Sequence, residues 1–284
     1  DLNEEESSLN ALLPYVLKRG CRLCSDSEAI SKYLENLYGA GIGVGVLKRG
    51  DDHILHVAFE TISDKYAPNG EKLCESVIDL MLSIMFESNS FSDEIGEKKK
   101  KNAKDRIMAM MNDKRQYAVE RCIEIMFEGE NYAISKLGTQ EGIDKITADN
   151  LKKHYENIIT SSVIDIYICG DADANALAEK IKKYTGKIAF KNADIPKTEI
   201  YVPKNKVKNI TDKMDVVQGK LCMGFSTGIK PADSDYPALM VANSIFGGGA
   251  HSKLFNNVRE KLSLCYYASG SLDKNKGALF VNAG

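Results

Sequence analysis

An arginine and a tyrosine, Arg259 and Tyr266, lie seven residues apart in the stretch VREKLSLCY, where a predicted helix gives way to a strand. A guanidinium group offers several hydrogen-bond donors in a fixed geometry, and a phenol adds one more. Three glycines, Gly247 to Gly249, precede the pair in FGGGAHSKLFNN. Taken alone, Arg259 could pair with surface carboxylates, Tyr266 could pack on a helix, and the glycines could end a helix and turn the chain.

The chain has few side chains that could hold a metal ion. His53 and His56 lie three apart in a predicted strand, so they point to opposite faces and cannot share a metal. His154 and His251 are isolated in the sequence, and structural or exposed roles are expected for both. The histidines therefore predict no metal site of their own.

The composition is that of an ordinary globular protein. The 284 residues are enough for two domains, each with its own core. The formal net charge of -2 and the pI of about 6.2 give no electrostatic reason to expect nucleic acid. The one dense basic block, residues 98–101, lies in a helical pattern and is predicted to be a solvated face. No apolar run approaches the length of a membrane span, and no signal peptide is visible.

Seven cysteines are scattered along the chain, most of them in apolar segments. Buried, reduced thiols are expected there, so the sequence predicts a protein of the reducing cytoplasm. Cys21 and Cys24 form a CxxC pair. One such pair without a second is a weak metal signal, and its surroundings are not thioredoxin-like.

Apolar periodicity predicts the elements that must position these side chains. The chain opens with helices over 4–19, where Pro14 should kink the chain or start a turn, and over 26–37, with Ser25 or Asp26 as its cap. A hairpin turning at residues 49–52 follows. Asp171 and Asp173 are expected to cap a later helix. The remaining elements are helices at 70–88, 93–128 (a pair), 147–157, 174–185, 233–246 and 251–262, strands at 162–170 and 216–227, and a hairpin over 264–284.

The order helix, helix, hairpin occurs twice, which predicts a duplicated unit. Leu37 precedes Gly50 in the first hairpin turn by 13 residues, and Leu262 precedes Asn275 in the second by the same number. We therefore predict an α/β (α+β) fold of two homologous domains, each an antiparallel-rich sheet covered by helices on one face. The first covers 1–190, a polar linker 191–211, and the second 212–284. The first unit lacks an opening strand and the second stops after its hairpin, so the chain is expected to be part of a longer protein.

The segment FGGGAHSKLFNNVREKLSLCYYASGS resembles the second-domain signature of the insulinase/pitrilysin family of metallopeptidases, which includes the mitochondrial processing peptidase subunits. That signature has a glycine-rich turn, a helix with a small residue followed by LF, then RE, and a tyrosine seven residues after the arginine. This chain meets it at Gly247, Gly248, Gly249, Ser252, Leu254, Phe255, Arg259, Glu260, Leu264 and Tyr266. A weaker likeness extends over most of the chain and implies the metallohydrolase-like two-domain fold of the family.

Active members of this inverzincin family carry HxxEH on the first helix, where two histidines bind zinc and the glutamate activates water. A glutamate on a later helix completes the metal site. This sequence contains no HxxEH. Aligning NALLPYVLKRG with the motif places Ala11, Pro14 and Tyr15 at the histidine, glutamate and histidine positions, and the later glutamate falls near Arg106. None of these can ligate zinc as required, so the chain alone is predicted to bind no metal and to cleave no peptide.

The resemblance implies that Arg259 and Tyr266 hold the substrate backbone and help to stabilise the oxyanion, and that Gly247 to Gly249 contact the peptide. In two-subunit bacterial relatives one chain carries zinc and the other carries the Arg/Tyr pair, and this chain resembles the second kind. The expected partner is an HxxEH-bearing, zinc-binding subunit or a second copy, and the expected substrate is an extended peptide. Two alternatives stay open: an inert scaffold or peptide-binding homologue, and a self-sufficient enzyme with an unrecognised metal site.

Overall fold

The computed structural model describes residues 2–191, 193, 198–200 and 207–284, except for the side chain of Ile95. The chain forms two compact units that do not follow chain order. The first unit comprises 1–48, 53–107 and 136–196, and the second comprises 49–52, 108–135 and 197–284. The division into homologous domains at 1–190 and 212–284 stays a prediction, and much of the predicted linker 191–211 lies outside the described residues.

Helices and short antiparallel strands alternate along the chain, which confirms the predicted α/β class. In order, the elements are α1 (Glu4–Leu17), α2 (Ser27–Asn36), β1 (Gly41–Arg49), β2 (Asp52–Glu60), α3 (Leu73–Phe86), α4 (Asp93–Asn112), α5 (Lys114–Met126), α6 (Gln140–Asp144), α7 (Ala148–Ser161), α8 (Ala174–Thr185), β3 (Leu221–Ser226), α9 (Tyr236–Gly247), a π-helix (Phe255–Lys261), β4 (Ala268–Asp273) and β5 (Ala278–Ala283). Within the described ranges, no helix is long and apolar enough to cross a membrane.

The first unit is built around α1, whose buried face contributes Leu12, Leu13 and Val16 to the core. Side chains of α3 and α7, among them Leu80 and Leu151, complete the same cluster. Burying each aliphatic side chain of this kind contributes roughly 1.5–3 kcal/mol, so the cluster fixes the position of α1 firmly. The strands β1 and β2 pair with each other.

The second unit contains a three-stranded antiparallel sheet in the order β3–β5–β4. Leu221 of β3 and Ala268 of β4 both align with Ala283 of the central strand. Phe280 of that strand joins Ile123 of α5 in a small core. At Gly224 of β3 an added Cβ would lie 2.6 Å from the sulfur of Met126, so glycine permits the close approach of α5.

Helix capping follows the predictions only in part. The carboxylate of Asp26 accepts from the backbone N–H of Ala29, and Asp173 caps α8 in the same way. Asp171, expected to be a cap, instead accepts from the ammonium of Lys65 at 2.7 Å. An N-cap must precede the first turn directly, and Asp173 already occupies that position. Pro14 was expected to kink the chain or start a turn, but α1 continues through it to Leu17.

One predicted strand was wrong, and one predicted helix has an unusual geometry. Residues 162–170, all of them described, form no strand. Ile166 packs against the cluster around Met81, but among the described residues no strand pairs with the segment, and Tyr167 is 89% exposed. The helix expected at 251–262 is present as a π-helix over Phe255–Lys261. There the N–H of Leu262 donates to the carbonyl of Asn257, five residues earlier, at 3.1 Å.

Candidate functional site

The degenerate metal positions lie in the first unit, and three of them are on α1. Ala11 is 2% exposed and Pro14 is buried, so neither reaches solvent. Tyr15, one turn after Ala11, is half-buried and lies on the same helix face. Arg106 of α4 covers it, with the guanidinium carbon 3.4 Å from the centre of the Tyr15 ring. Tyr15 and Arg106, which the sequence comparison assigned to one metal site, are therefore in contact in the structure.

The chemistry of this site does not fit zinc. Ala11 and Pro14 offer no side-chain donor, and the ring of Tyr15 lies against a fixed positive charge. Burial holds the pKa of the Arg106 guanidinium below its usual value, and the nearby Tyr15 opposes that shift. A guanidinium stays charged near neutral pH even so, and a charge of the same sign would repel a zinc ion. Across the described residues, no group of three or more His, Cys, Asp and Glu side chains could hold a metal.

A buried polar chain secures α1 beside these positions. The amide of Asn10 lies 3.2 Å from Nδ1 of His53 and 2.8 Å from Nε2 of His154, linking α1 to β2 and α7. Glu6 lies 3.8 Å from the other ring nitrogen of His154. Burial lowers the pKa of His53 to about 4 and lowers that of His154 despite Glu6. The two histidines are neutral and link neighbouring elements through Asn10. Nothing in the sequence indicated this role for Asn10 or His53.

The arginine–tyrosine pair lies in the second unit. Arg259 is on the π-helix, where its guanidinium contacts Glu260 at 2.7 Å and lies 4.6 Å from the ring centre of Phe255. Wide π-turns reorient side chains and are frequent at functional sites. Tyr266 is 75% exposed, and its backbone N–H donates to the carbonyl of Gly284 at 2.7 Å. The phenol is therefore presented to solvent and is not packed on a helix.

Both side chains line one open cleft of about 620 Å³, together with Gln218, Leu264 and Gly284. The guanidinium and the phenol of Arg259 and Tyr266 can each donate to a carbonyl oxygen placed in this cleft. Such an arrangement suits an extended peptide backbone, whose carbonyls are its hydrogen-bond acceptors. The assignment of substrate binding to these two residues stays a prediction.

Two of the three glycines, Gly247 and Gly248, lie where an added Cβ would clash with backbone atoms. Gly247 ends α9, and a Cβ there would lie 2.4 Å from the backbone nitrogen of Gly270 in β4. At Gly248 a Cβ would lie 2.7 Å from the Cα of Ser244. At Gly249 it would meet only the ring of His251, at 3.1 Å. Helix–strand packing therefore accounts for Gly247, and the close preceding turn of α9 accounts for Gly248, whereas contact of the three with a peptide stays a prediction.

A buried lysine is a further feature that sequence reasoning missed. Lys276 is 1% exposed, and its ammonium lies 2.7 Å from Glu130, 3.3 Å from Asp51 and 3.0 Å from the carbonyl of Glu199. The sequence gives no signal for this burial, because a lysine in the turn DKNKG is typical of an exposed hairpin end. Lys276 joins the β4–β5 turn to the remainder of the second unit.

The chain is similar in sequence to known proteins. A family model described as "Peptidase M16 inactive domain" matches residues 145–284. The "Probable inactive metalloprotease YmfF" of Bacillus subtilis is 35% identical over all of this chain and 67% of its own length. The "Uncharacterized zinc protease YmxG" of the same bacterium is 24% identical over 77% of this chain and 53% of its own length.

Similarity extends to solved structures. The crystal structure of a conserved protein from Enterococcus faecalis superposes with a TM-score of 0.85 at 30% identity, over 100% of this chain and 67% of that one. The chain thus spans about two thirds of the length of YmfF and of the Enterococcus protein, and about half of the length of YmxG. The name YmfF carries and the description of the family model both fit a chain whose metal positions hold no zinc ligands.

Proposed function

Because this chain belongs to the M16 family of peptidases, as an inactive homologue, we propose that it is the non-zinc subunit of a two-subunit peptidase. Its partner would be an HxxEH-bearing subunit that holds the zinc, and its substrate an extended peptide. One observation carries the proposal: Arg259 and Tyr266 line an open cleft, whereas Tyr15 and Arg106 occupy the degenerate metal positions. A remnant without function would have no need to keep both donors exposed in one cleft.

The names of the relatives support a division of labour. Bacillus subtilis has one relative named a probable inactive metalloprotease and another named a zinc protease. A pair of this kind in one organism is what the proposal requires. The seven free cysteines support a reducing, cytoplasmic location for such a pair.

In the proposed mechanism, Arg259 and Tyr266 act on the peptide and the partner supplies the metal chemistry. The guanidinium of Arg259, which also contacts Glu260, donates to a carbonyl oxygen of the bound peptide. The phenol of Tyr266 donates a second hydrogen bond. Both donors line the cleft, so both can stabilise the negative charge that develops on that carbonyl oxygen.

The test is peptide cleavage by this chain mixed with an HxxEH-bearing relative. The double variant Arg259→Ala, Tyr266→Phe should lower kcat/KM by roughly 100-fold or more while binding of the two subunits is unchanged, because one lost oxyanion donor alone costs about that factor. Matched controls are Lys261→Ala and Tyr236→Phe, which remove a neighbouring cation and another phenol outside the cleft lining. Cleavage that the double variant leaves untouched would refute the proposal. Peptide binding without cleavage in every mixture would identify an inert peptide-binding homologue instead.

A further inference from the structure

Positive charge is concentrated around the degenerate metal positions of the first unit. Lys99 and Arg106 are seven residues apart, two turns along α4, and therefore lie on one face of the helix. Lys18 and Arg19 follow the end of α1. All four side chains are half-buried. We refer to Lys18, Arg19, Lys99 and Arg106 as the cationic cluster.

The charges in the cationic cluster are poorly compensated. Burial lowers the pKa of Lys99, and the neighbouring cations Arg19, Arg106, Lys18 and Lys98 lower it further. Among the described residues, no carboxylate lies within 4.0 Å of the side-chain nitrogens of Lys99, Arg19 or Arg106.

Nearby lysines of the same helix are paired, by contrast. Lys100 contacts Glu97 at 2.7 Å, and Lys104 contacts Asp144. The chain as a whole is slightly acidic, with a formal net charge of -2, so carboxylates are not scarce. Half-buried cations without a counter-ion are costly, and an anionic ligand would remove that cost.

The donor set of Arg106 indicates which anion fits. Its guanidinium carbon lies 3.4 Å from the centre of the Tyr15 ring, and the group carries five N–H donors, more than one tyrosine can use. The edge of a guanidinium matches the two oxygens of a carboxylate, which it binds with two parallel hydrogen bonds. Lys18 is already engaged, because its ammonium donates to the carbonyl of Ile42 at 2.9 Å. Arg106 and Lys99 are therefore the principal candidates for contact with a ligand.

We propose that the cationic cluster is a carboxylate-binding site whose ligand is an acidic side chain of a peptide. Arg106 binds both carboxylate oxygens, and Lys99 adds a second positive charge. The identification of the ligand as a peptide rests on the proposed function, whereas the carboxylate site itself does not. A position that binds a cation in active relatives would here bind an anion.

The experiment uses this chain without any partner, so that its result is independent of cleavage. A labelled hexaglutamate peptide is titrated at low ionic strength, with hexaglutamine of equal length as the neutral control. We expect the acidic peptide to bind at least ten times more tightly. Lys99→Gln and Arg106→Gln should each weaken that binding at least tenfold, whereas Lys101→Gln, an exposed neighbour in the same basic block, should change it less than twofold.

Several outcomes would overturn the inference. Equal affinity for both peptides, or an equal loss in Lys101→Gln, would show that only general surface charge is involved. Binding of inorganic phosphate or free succinate without binding of hexaglutamate would contradict the peptide as ligand. Arg106→Lys keeps the positive charge but lacks the planar guanidinium, so it separates ligand recognition from folding. This variant should retain the circular dichroism spectrum of the unmodified chain. Its affinity for the acidic peptide should still fall at least threefold.

Discussion

The guanidinium of Arg106 lies 3.4 Å from the centre of the Tyr15 ring, at two positions that the resemblance to HxxEH peptidases predicts to correspond to metal ligands. A cation over an aromatic face is worth about 2 kcal/mol when it is partly desolvated. The contact joins α4 to α1 and places a positive charge against the Tyr15 ring. The predicted metal positions are therefore occupied by a packed contact between two helices.

Tyr15→Leu should lower the free energy of unfolding by roughly 1–2 kcal/mol, because it removes the ring that faces the Arg106 guanidinium. Urea denaturation measures this value. In a double-mutant cycle, Tyr15→Leu and Arg106→Gln should couple by at least about 0.5 kcal/mol. Strictly additive effects would mean that the contact contributes nothing to stability.

Stability should fall at acidic pH because His53 and His154 are buried and neutral. Their pKa values are lower in the folded chain than in the unfolded one, that of His53 about 4 against 6.5. The unfolded chain therefore binds more protons between these values, and stability is lost as the pH falls through that window. The loss for His53 is on the order of 3 kcal/mol at most, since each unit of pKa corresponds to about 1.4 kcal/mol.

Thermal unfolding measured from pH 7 to pH 4 checks this expectation. His53→Gln should flatten the dependence, whereas His56→Gln, at an exposed position of the same strand, should leave it unchanged. An unaltered pH profile in His53→Gln would rule out this residue as the source.

Lys276→Ala should destabilise the second unit by about 3–5 kcal/mol, because Glu130 and Asp51 would lose the ammonium that neutralises them. Denaturant titration measures the change. Lys274→Ala alters an exposed lysine of the same hairpin turn and should cost less than about 0.5 kcal/mol. Similar values for both variants would contradict the structural role assigned to Lys276.

Gly247→Ala should cost about 1–3 kcal/mol, since its Cβ would meet the backbone of Gly270 at 2.4 Å and neither chain segment can yield freely. Gly249→Ala should be nearly neutral, because only the His251 ring must move. The two unfolding midpoints in urea compare these effects directly. A larger loss in Gly249→Ala than in Gly247→Ala would show that packing does not explain the glycines.

Local features of the fold could be predicted from the sequence, and long-range ones could not. The hairpin turn at residues 49–52 and the cap Asp26 depend on neighbours in the chain, so periodicity and residue type were enough. The strand expected at 162–170 was wrong because pairing depends on a partner strand, which no local pattern reveals.

The candidate site divides in the same way. The family signature singled out Arg259 and Tyr266, which line one cleft in the structure. The stacking of Arg106 on Tyr15, the link that Asn10 forms between two histidines, and the burial of Lys276 could not be predicted from the sequence. Each of these features joins residues that are far apart in the sequence. A polar or charged side chain is expected to be exposed unless its buried partners are known.

We propose that this chain forms a peptidase together with a second subunit, which holds the zinc. A reconstitution experiment tests this proposal. It compares peptide cleavage and bound zinc in three samples: this chain alone, an HxxEH-bearing relative alone, and an equimolar mixture of the two. Cleavage is expected only in the mixture, and zinc is not expected in this chain by itself. Stoichiometric zinc in this chain together with cleavage in the absence of a partner would contradict the proposal.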